Sequence, residues 1–187
     1  MSEKSENVTM PENKSRKAHT TEVPTAEKPT IEIVDGLPHL DAIHDLIVEY
    51  TSRLDRDLGF QHLDEELSDL PHKYAGTHGR MLAALVDGEV AGCVAYHRLN
   101  ERQAEMKRLY VRPQYRGLHL GQKMGAGIVE AARNDGYAQM VLDTAEPLTH
   151  AIAIYHSLGF REIPAYYYNP MPDVIYMGLD LQQQRAE

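Results

Sequence analysis

The sequence predicts an α+β (α/β) domain, a mixed sheet with helices packed on its faces. Two patterns lead there. Runs alternating apolar and polar residues, which suit strands, are interleaved with segments whose apolar residues recur every three or four positions, which suit helices. At the centre, two apolar runs flank Asp87-Gly88, a strong hairpin signal. The 187 residues, 42% hydrophobic and 25% charged, fit one globular domain with a real core.

Residues 1–29 stand apart. They carry almost no large apolar side chain, and five acidic residues balance five basic ones. Such a segment cannot offset its ordering entropy, so it reads as a disordered tail before a single domain over 30–187. The chain's net charge of −9 then falls entirely on the domain.

The domain opens with an alternating strand, Thr30 to Val34. Pro38 follows near a helix start, where proline is tolerated. Leu40, Ile43, Ile47, Tyr50, Leu54 and Leu58 make one apolar helix face. A short helix is expected around Leu63, Leu67 and Leu70, ended by Pro71. The hairpin strands are Met81 to Val86 and Val90 to Tyr96. The second is apolar on both faces, as a central strand requires, and holds Cys93 as a small buried hydrophobe. Asn100 to Gln103 turn into a strand over 104–111, stopped by Pro113. A Gly-rich helix over 118–134, with Met124, Ile128 and Ala131 or Ala132 inward, ends at Gly136. A strand over 137–143 and a helix over 148–158 follow. Gly159 ends that helix, with Phe160 as its hydrophobic companion. The last strands are 160–163 and 174–181, with an aromatic loop, Tyr166-Tyr167-Tyr168-Asn-Pro, between them.

Several functions are excluded or disfavoured. No run of 18 apolar residues suggests a membrane span. The N-terminus lacks a secretory pattern, so a cytoplasmic location is expected. One cysteine allows neither an internal disulfide nor a Cys-built zinc site, and the histidines lack the Glu-flanked spacing of a zinc helix, so no metal is expected. An acidic chain has no general attraction for nucleic acid.

The informative stretch is Leu109-Tyr-Val-Arg-Pro-Gln-Tyr-Arg-Gly-Leu-His-Leu-Gly121, from a strand through a short loop into a helix. Gly117 and Gly121 clear side chains from the helix start, where peptide N–H groups and the positive helix end could receive a phosphate or pyrophosphate. Arg116 adds a donor fork. The same glycines could equally serve close helix–strand packing. Neither a Rossmann nor a Walker pattern is present.

Three segments occur in order: Glu105-Met-Lys-Arg-Leu-Tyr-Val-Arg-Pro113, Arg116-Gly-Leu-His-Leu-Gly121 and Ala151-Ile-Ala-Ile-Tyr-His-Ser-Leu-Gly-Phe160. Together they resemble the GNAT superfamily of acyl-CoA-dependent N-acetyltransferases over roughly residues 30–181. The resemblance implies a mostly antiparallel central sheet with helices on both faces and a splayed parallel strand pair. It implies that the backbone of Leu109, Tyr110 and Val111 pairs with the pantetheine arm of acetyl-CoA. It places the pyrophosphate on Arg116, Gly117, Leu118, His119, Leu120, Gly121 and Gln122. His119 replaces the loop's usual middle glycine; a helix-compatible backbone there could still present its N–H, and the imidazole would modulate cofactor affinity. Tyr155 matches the tyrosine that bonds the CoA sulfur and protonates the leaving thiolate, although a core aromatic is the plain reading of the helix alone. Leu148 stands where an asparagine often bonds pantetheine, a contact Thr149 could take over. Glu105 matches the carboxylate base of some members; a surface salt bridge to Lys107 or Arg108 is its other reading. Tyr50, Tyr166 and Tyr167 lie where acceptor pockets are built, although the loop tyrosines could simply pack the last strands.

The resemblance thus implies acetyl transfer from acetyl-CoA to the primary amine of a small-molecule or peptide acceptor, with no metal, nucleic acid or membrane, and it leaves a homodimer open. The alternatives are a catalytically silent acyl-CoA- or nucleotide-binding module, or an interaction protein working through its tail.

Overall fold

A computed structural model describes residues 28–54 and 62–182. The predicted tail falls almost wholly on residues 1–27, outside the described residues, as does Leu58 of the predicted first helix. Among the described residues, seven strands form one sheet in the order β1-β2-β3-β4-β5-β7-β6. They are β1 (Ile31–Asp35), β2 (Gly79–Val86), β3 (Glu89–Arg98), β4 (Gln103–Val111), β5 (Gln139–Ala145), β6 (Arg161–Glu162) and β7 (Val174–Asp180). The helices are α1 (Leu40–Arg53), α2 (Leu63–Ser68), α3 (Leu70–Tyr74), α4 (Leu120–Asn134) and α5 (Thr149–Ser157).

Local chemistry explains the boundaries. Asp87 and Gly88 both have positive φ, 51° and 85°, the tight turn that matches strand twist, and β2 pairs with β3 directly across it. Pro71 does not end the predicted second helix. The chain breaks before it, at Asp69, and Pro71 sits in the first turn of α3, where its missing N–H costs nothing. The Asp69 side chain accepts the His72 N–H at 3.1 Å and caps that turn. Gly136 and Gly159 close α4 and α5 in left-handed conformation, with φ of 89° and 98°. Phe160 N–H then reaches back to the Tyr155 carbonyl at 3.0 Å, and the Phe160 side chain is fully buried.

Two cores lie on opposite faces of the sheet. On one, Leu120, Met124, Ile128 and Ala132 of α4 meet Val94, Tyr96, Ala104, Met106, Met140 and Leu142. On the other, Ile43, Leu46 and Ile47 of α1, with Leu70 and Tyr74 of α3, meet Met81, Ala83, Cys93 and Ala95. Cys93 is the inert buried thiol expected; burial pushes its pKa up to about 12.

Two irregularities shape the region of interest. First, β4 and β5 are parallel but pair only at Gln103–Gln139, Ala104–Met140 and Glu105–Val141. β5 keeps all seven of its residues paired with antiparallel β7. From Met106 onward the two strands part, which is the splayed pair the resemblance implied. Second, Ala95 pairs with Lys107 and Cys93 with Tyr110, so Arg108 and Leu109 together oppose Val94. Arg108 has φ 61°, and this bulge reverses the alternation of the strand. Glu105, Lys107, Arg108 and Tyr110 therefore share the α1 face, while Met106, Leu109 and Val111 turn to α4.

Candidate active site

The parted strands set the geometry. Backbone from Leu109 to Val111 lies along one side of the gap, immediately after the bulge. The loop that follows reaches α4 through Gly117 (φ 87°) and His119 (φ 58°). His119 is thus not helix-compatible as expected. It is the left-handed residue before the first turn of α4, a conformation that glycine adopts freely and histidine at a cost. Its carbonyl nevertheless accepts the Lys123 N–H at 3.1 Å, starting the helix.

The two loop glycines do different work. A Cβ on Gly117 would meet nothing within 4 Å, so Gly117 serves the positive φ and leaves the loop open outward. A Cβ on Gly121 would lie 3.0 Å from Ile154 Cδ1, and one on Gly125 2.6 Å from Leu158 Cδ1. Gly121 is therefore a close-packing residue, and its partner is helix α5 more than a strand. Arg116, Gly117, His119 and Gln122 are exposed, Leu118 is half-buried, and the Leu120 side chain is core. Leu120 can offer a ligand only its N–H.

Tyr155 is buried on α5, its ring edge-on to Phe160 at 6.0 Å. Burial raises its pKa, so the phenol is protonated at neutral pH. Its hydroxyl forms no hydrogen bond among the described residues, and it lies within electrostatic reach of Tyr50 and Asp143. The Tyr50 and Tyr110 rings meet at 5.3 Å, tilted by 37°, and the Tyr110 hydroxyl donates to Glu49 Oε1 at 2.9 Å.

Glu105 is only 5% exposed, and both of its oxygens are engaged. His97, directly opposite on β3, places Nε2 2.6 Å from Oε2. Tyr166 donates its hydroxyl to Oε1 at 2.7 Å, and Lys107 Nζ lies 3.1 Å from the same oxygen. Burial alone would raise this carboxyl, but the His97 hydrogen bond and the Lys107 charge outweigh it and hold the pKa at about 2. Glu105 thus pairs with Lys107, but in the interior of the protein rather than as a surface salt bridge. Lys107 also reaches Asp143 of β5 at 2.8 Å and so spans the gap between the strands. Burial works against its charge, yet Asp143 and Glu105 raise its pKa above the ordinary value.

Arg108 does not meet Glu105. It donates to Glu66 of α2 at 2.6 and 3.0 Å, and Lys73 reaches the same carboxylate at 2.6 Å. Glu66 is held at about 2 because these cations outweigh its desolvation. The loop tyrosines pack against the last strand, one of the two readings open for them. Tyr166, Tyr167 and Tyr176 pack ring to ring at 5.3–5.5 Å, and Tyr166 also reaches Glu105. Tyr168 is 86% exposed.

Sequence reading missed His97, Asp143, Glu66 and Tyr176. The first was recoverable: the Asp87-Gly88 turn and the later polar turn constrain where β3 meets β4. Among the described residues no group of three or more His, Cys, Asp or Glu is placed to hold a metal, and no helix is long and apolar enough to cross a membrane. Two open hollows of about 400 and 320 Å³ border Arg102, Gln139 and Asp180, and Gly76, Tyr96 and Tyr137. Neither touches Glu105, Leu109 or Tyr155.

This sheet, opened between two parallel strands beside a glycine-bent helix start, has known counterparts. A model of the acetyltransferase (GNAT) family matches residues 40–160. An uncharacterized N-acetyltransferase of Schizosaccharomyces pombe is 42% identical over 146 residues, 77% of this chain and 90% of that one. An acetyltransferase structure from Streptococcus agalactiae, 26% identical, aligns with a TM-score of 0.66 over 80% of this chain and 98% of that one. PaiA N-acetyltransferase of Thermoplasma acidophilum, solved with coenzyme A, shares the fold at 15% identity and a TM-score of 0.61, over 81% and 99%. The chain belongs to the GNAT family and is an N-acetyltransferase.

Proposed function

We propose that residues 30–187 act as one domain that moves an acetyl group from acetyl-CoA directly to the primary amine of a small-molecule or peptide acceptor. The observation that carries this reading is the parting of β4 from β5 after three residue pairs, with the loop over 116–119 and the first turn of α4 following β4, and Glu105 at the last pair. The residues fit the cofactor. The Leu109–Val111 backbone borders the gap as a partner for the pantetheine arm. The outward-facing loop, the fifteen-residue α4 behind it and exposed Arg116 suit a pyrophosphate, with N–H groups from Arg116 to Gln122 as donors. Acetyl-CoA supplies the acyl group as a thioester, which the acceptor nitrogen takes as the thiol leaves.

The protein's own residues handle the protons. An alkyl ammonium has a pKa of ~10.4, so roughly 1 in 10³ molecules is neutral at pH 7. Glu105, with its low pKa, is a poor store for a proton. Its role in this reading is to draw the acceptor's ammonium form and to pass the lost proton to solvent through water. The protonated Tyr155 hydroxyl donates to the leaving sulfur. An N–H beside the bulge at Leu109 meets the oxyanion. Tyr50, Tyr166 and Tyr167 form the acceptor wall, where a cation gains from ring faces.

Thermal shifts with acetyl-CoA, CoA and ATP, followed by an amine panel monitored for free thiol, test the reading. Stabilisation by acetyl-CoA and thiol release with an amine are expected. Stabilisation by ATP alone, or binding without thiol release, would overturn it.

A further inference from the structure

We propose that His97 is a positioning residue for acetyl transfer, orienting the Glu105 carboxylate and keeping it ionised. The inference rests on the reading of Glu105 given above.

The geometry is specific. His97 and Glu105 are direct cross-strand partners, and the Nε2–Oε2 separation is 2.6 Å. A carboxylate only accepts, so Nε2 carries the proton of that bond. In the doubly protonated ring Nδ1 donates as well, to the Arg98 carbonyl oxygen 3.2 Å away, which fixes the ring at its other end. Tyr74 of α3 packs against the ring at 6.3 Å, its planes at 67°. The imidazole is therefore held on three sides, and the one group it holds in turn is Glu105.

That hold matters because Glu105 is buried. Without its partners, desolvation would favour the neutral acid. His97 engages Oε2, while Tyr166 and Lys107 share Oε1. Losing Tyr166 would leave Lys107 on Oε1, whereas losing His97 leaves Oε2 bare. The other ionisable groups facing this pair are Asp143 on β5 and Tyr167 of the loop, both through Lys107, and Glu66 and Arg108 on the far side of Tyr74. None of them touches Oε2.

The test compares H97Q, H97N and H97A with the wild type. A glutamine amide reaches about as far as Nε2 and keeps a donor for Glu105; an asparagine amide reaches only about as far as Nδ1. Two readouts are taken: kcat/KM from pH 5 to 9, and a ¹³C NMR titration of the Glu105 side chain in the protein without substrates. H97Q is expected within about threefold of wild type at every pH. For H97A and H97N the ratio to wild type should fall about tenfold per pH unit below a new midpoint, as Glu105 takes up a proton. The Glu105 carbon should titrate at higher pH in the same two variants. A constant ratio with an unmoved Glu105 signal, or an H97Q profile no better than that of H97N, overturns the proposal. If the wild type releases no thiol with any amine, the transfer reading fails, and the NMR titration alone still decides whether His97 tunes Glu105.

Discussion

Glu105 and His119 are single positions where the sequence departs from what local rules favour. A carboxylate at 5% exposure is costly unless every lone pair is answered, and here His97, Tyr166 and Lys107 answer them. E105Q keeps the shape but loses the charge. In the acetyl-transfer reading, turnover should drop by roughly 10²–10⁴-fold while acetyl-CoA affinity holds. An unchanged kcat would remove Glu105 from the chemistry. His119 sits at φ 58°, where a Cβ costs roughly 1–2 kcal/mol. H119G relieves that strain but loses about 0.5–1 kcal/mol to chain entropy, so its melting temperature should stay near wild type. Acetyl-CoA affinity is where the change should appear. Calorimetry showing the same affinity and the same pH dependence in both proteins would end the idea that His119 modulates the cofactor.

Among the elements, α4 is set by its glycines as much as by its apolar face. Gly125 lies so close to Leu158 that any Cβ must displace it. G125V should destabilise the fold by about 1–3 kcal/mol through overpacking between α4 and α5, measurable in urea. The sequence showed α4 plainly, because Met124, Ile128 and Ala132 recur at helical spacing and Gly136 marks the end. It misled at Pro71, where a residue that stops helices also starts them, and only the Asp69 cap decides which. The candidate site was legible only in part. Glu105, Tyr155 and the glycine loop sit in motifs that survive as strings. The clustering of Lys107 with Arg108 on one face does not, since strict alternation would separate them and the bulge is a property of the β3–β4 pair. Asp143 and Glu66 come from distant segments, and their partners are set by packing rather than spacing.

At the scale of the molecule, two buried carboxylates among the described residues couple stability to acid. Glu66 and Glu105 are both held at about 2 in the folded protein, against an ordinary value of 4.5. Each binds fewer protons folded than unfolded, so each contributes stability above pH 4.5 that is lost as pH falls towards 2. The full loss is about 3 kcal/mol for each group as an upper figure. Urea midpoints should fall steadily across that window, and E66Q should flatten part of the fall. E66Q also strands Arg108 and Lys73 on one side chain, so at neutral pH it should cost about 3–5 kcal/mol.

The short seam between β4 and β5 has a mechanical consequence. Strands β1 to β4 make one plate, and β5 to β7 another. Three rungs, the Gln103–Gln139 side-chain bond at their end and the Lys107–Asp143 strut are among the links across that line. A substrate arm laid against Leu109–Val111 would act as a splint over the unlaced part of the join. Acetyl-CoA should therefore slow deuterium uptake at 106–111 and 142–145 more than in the hairpin over 79–98, and K107M, which removes the strut, should make that contrast larger.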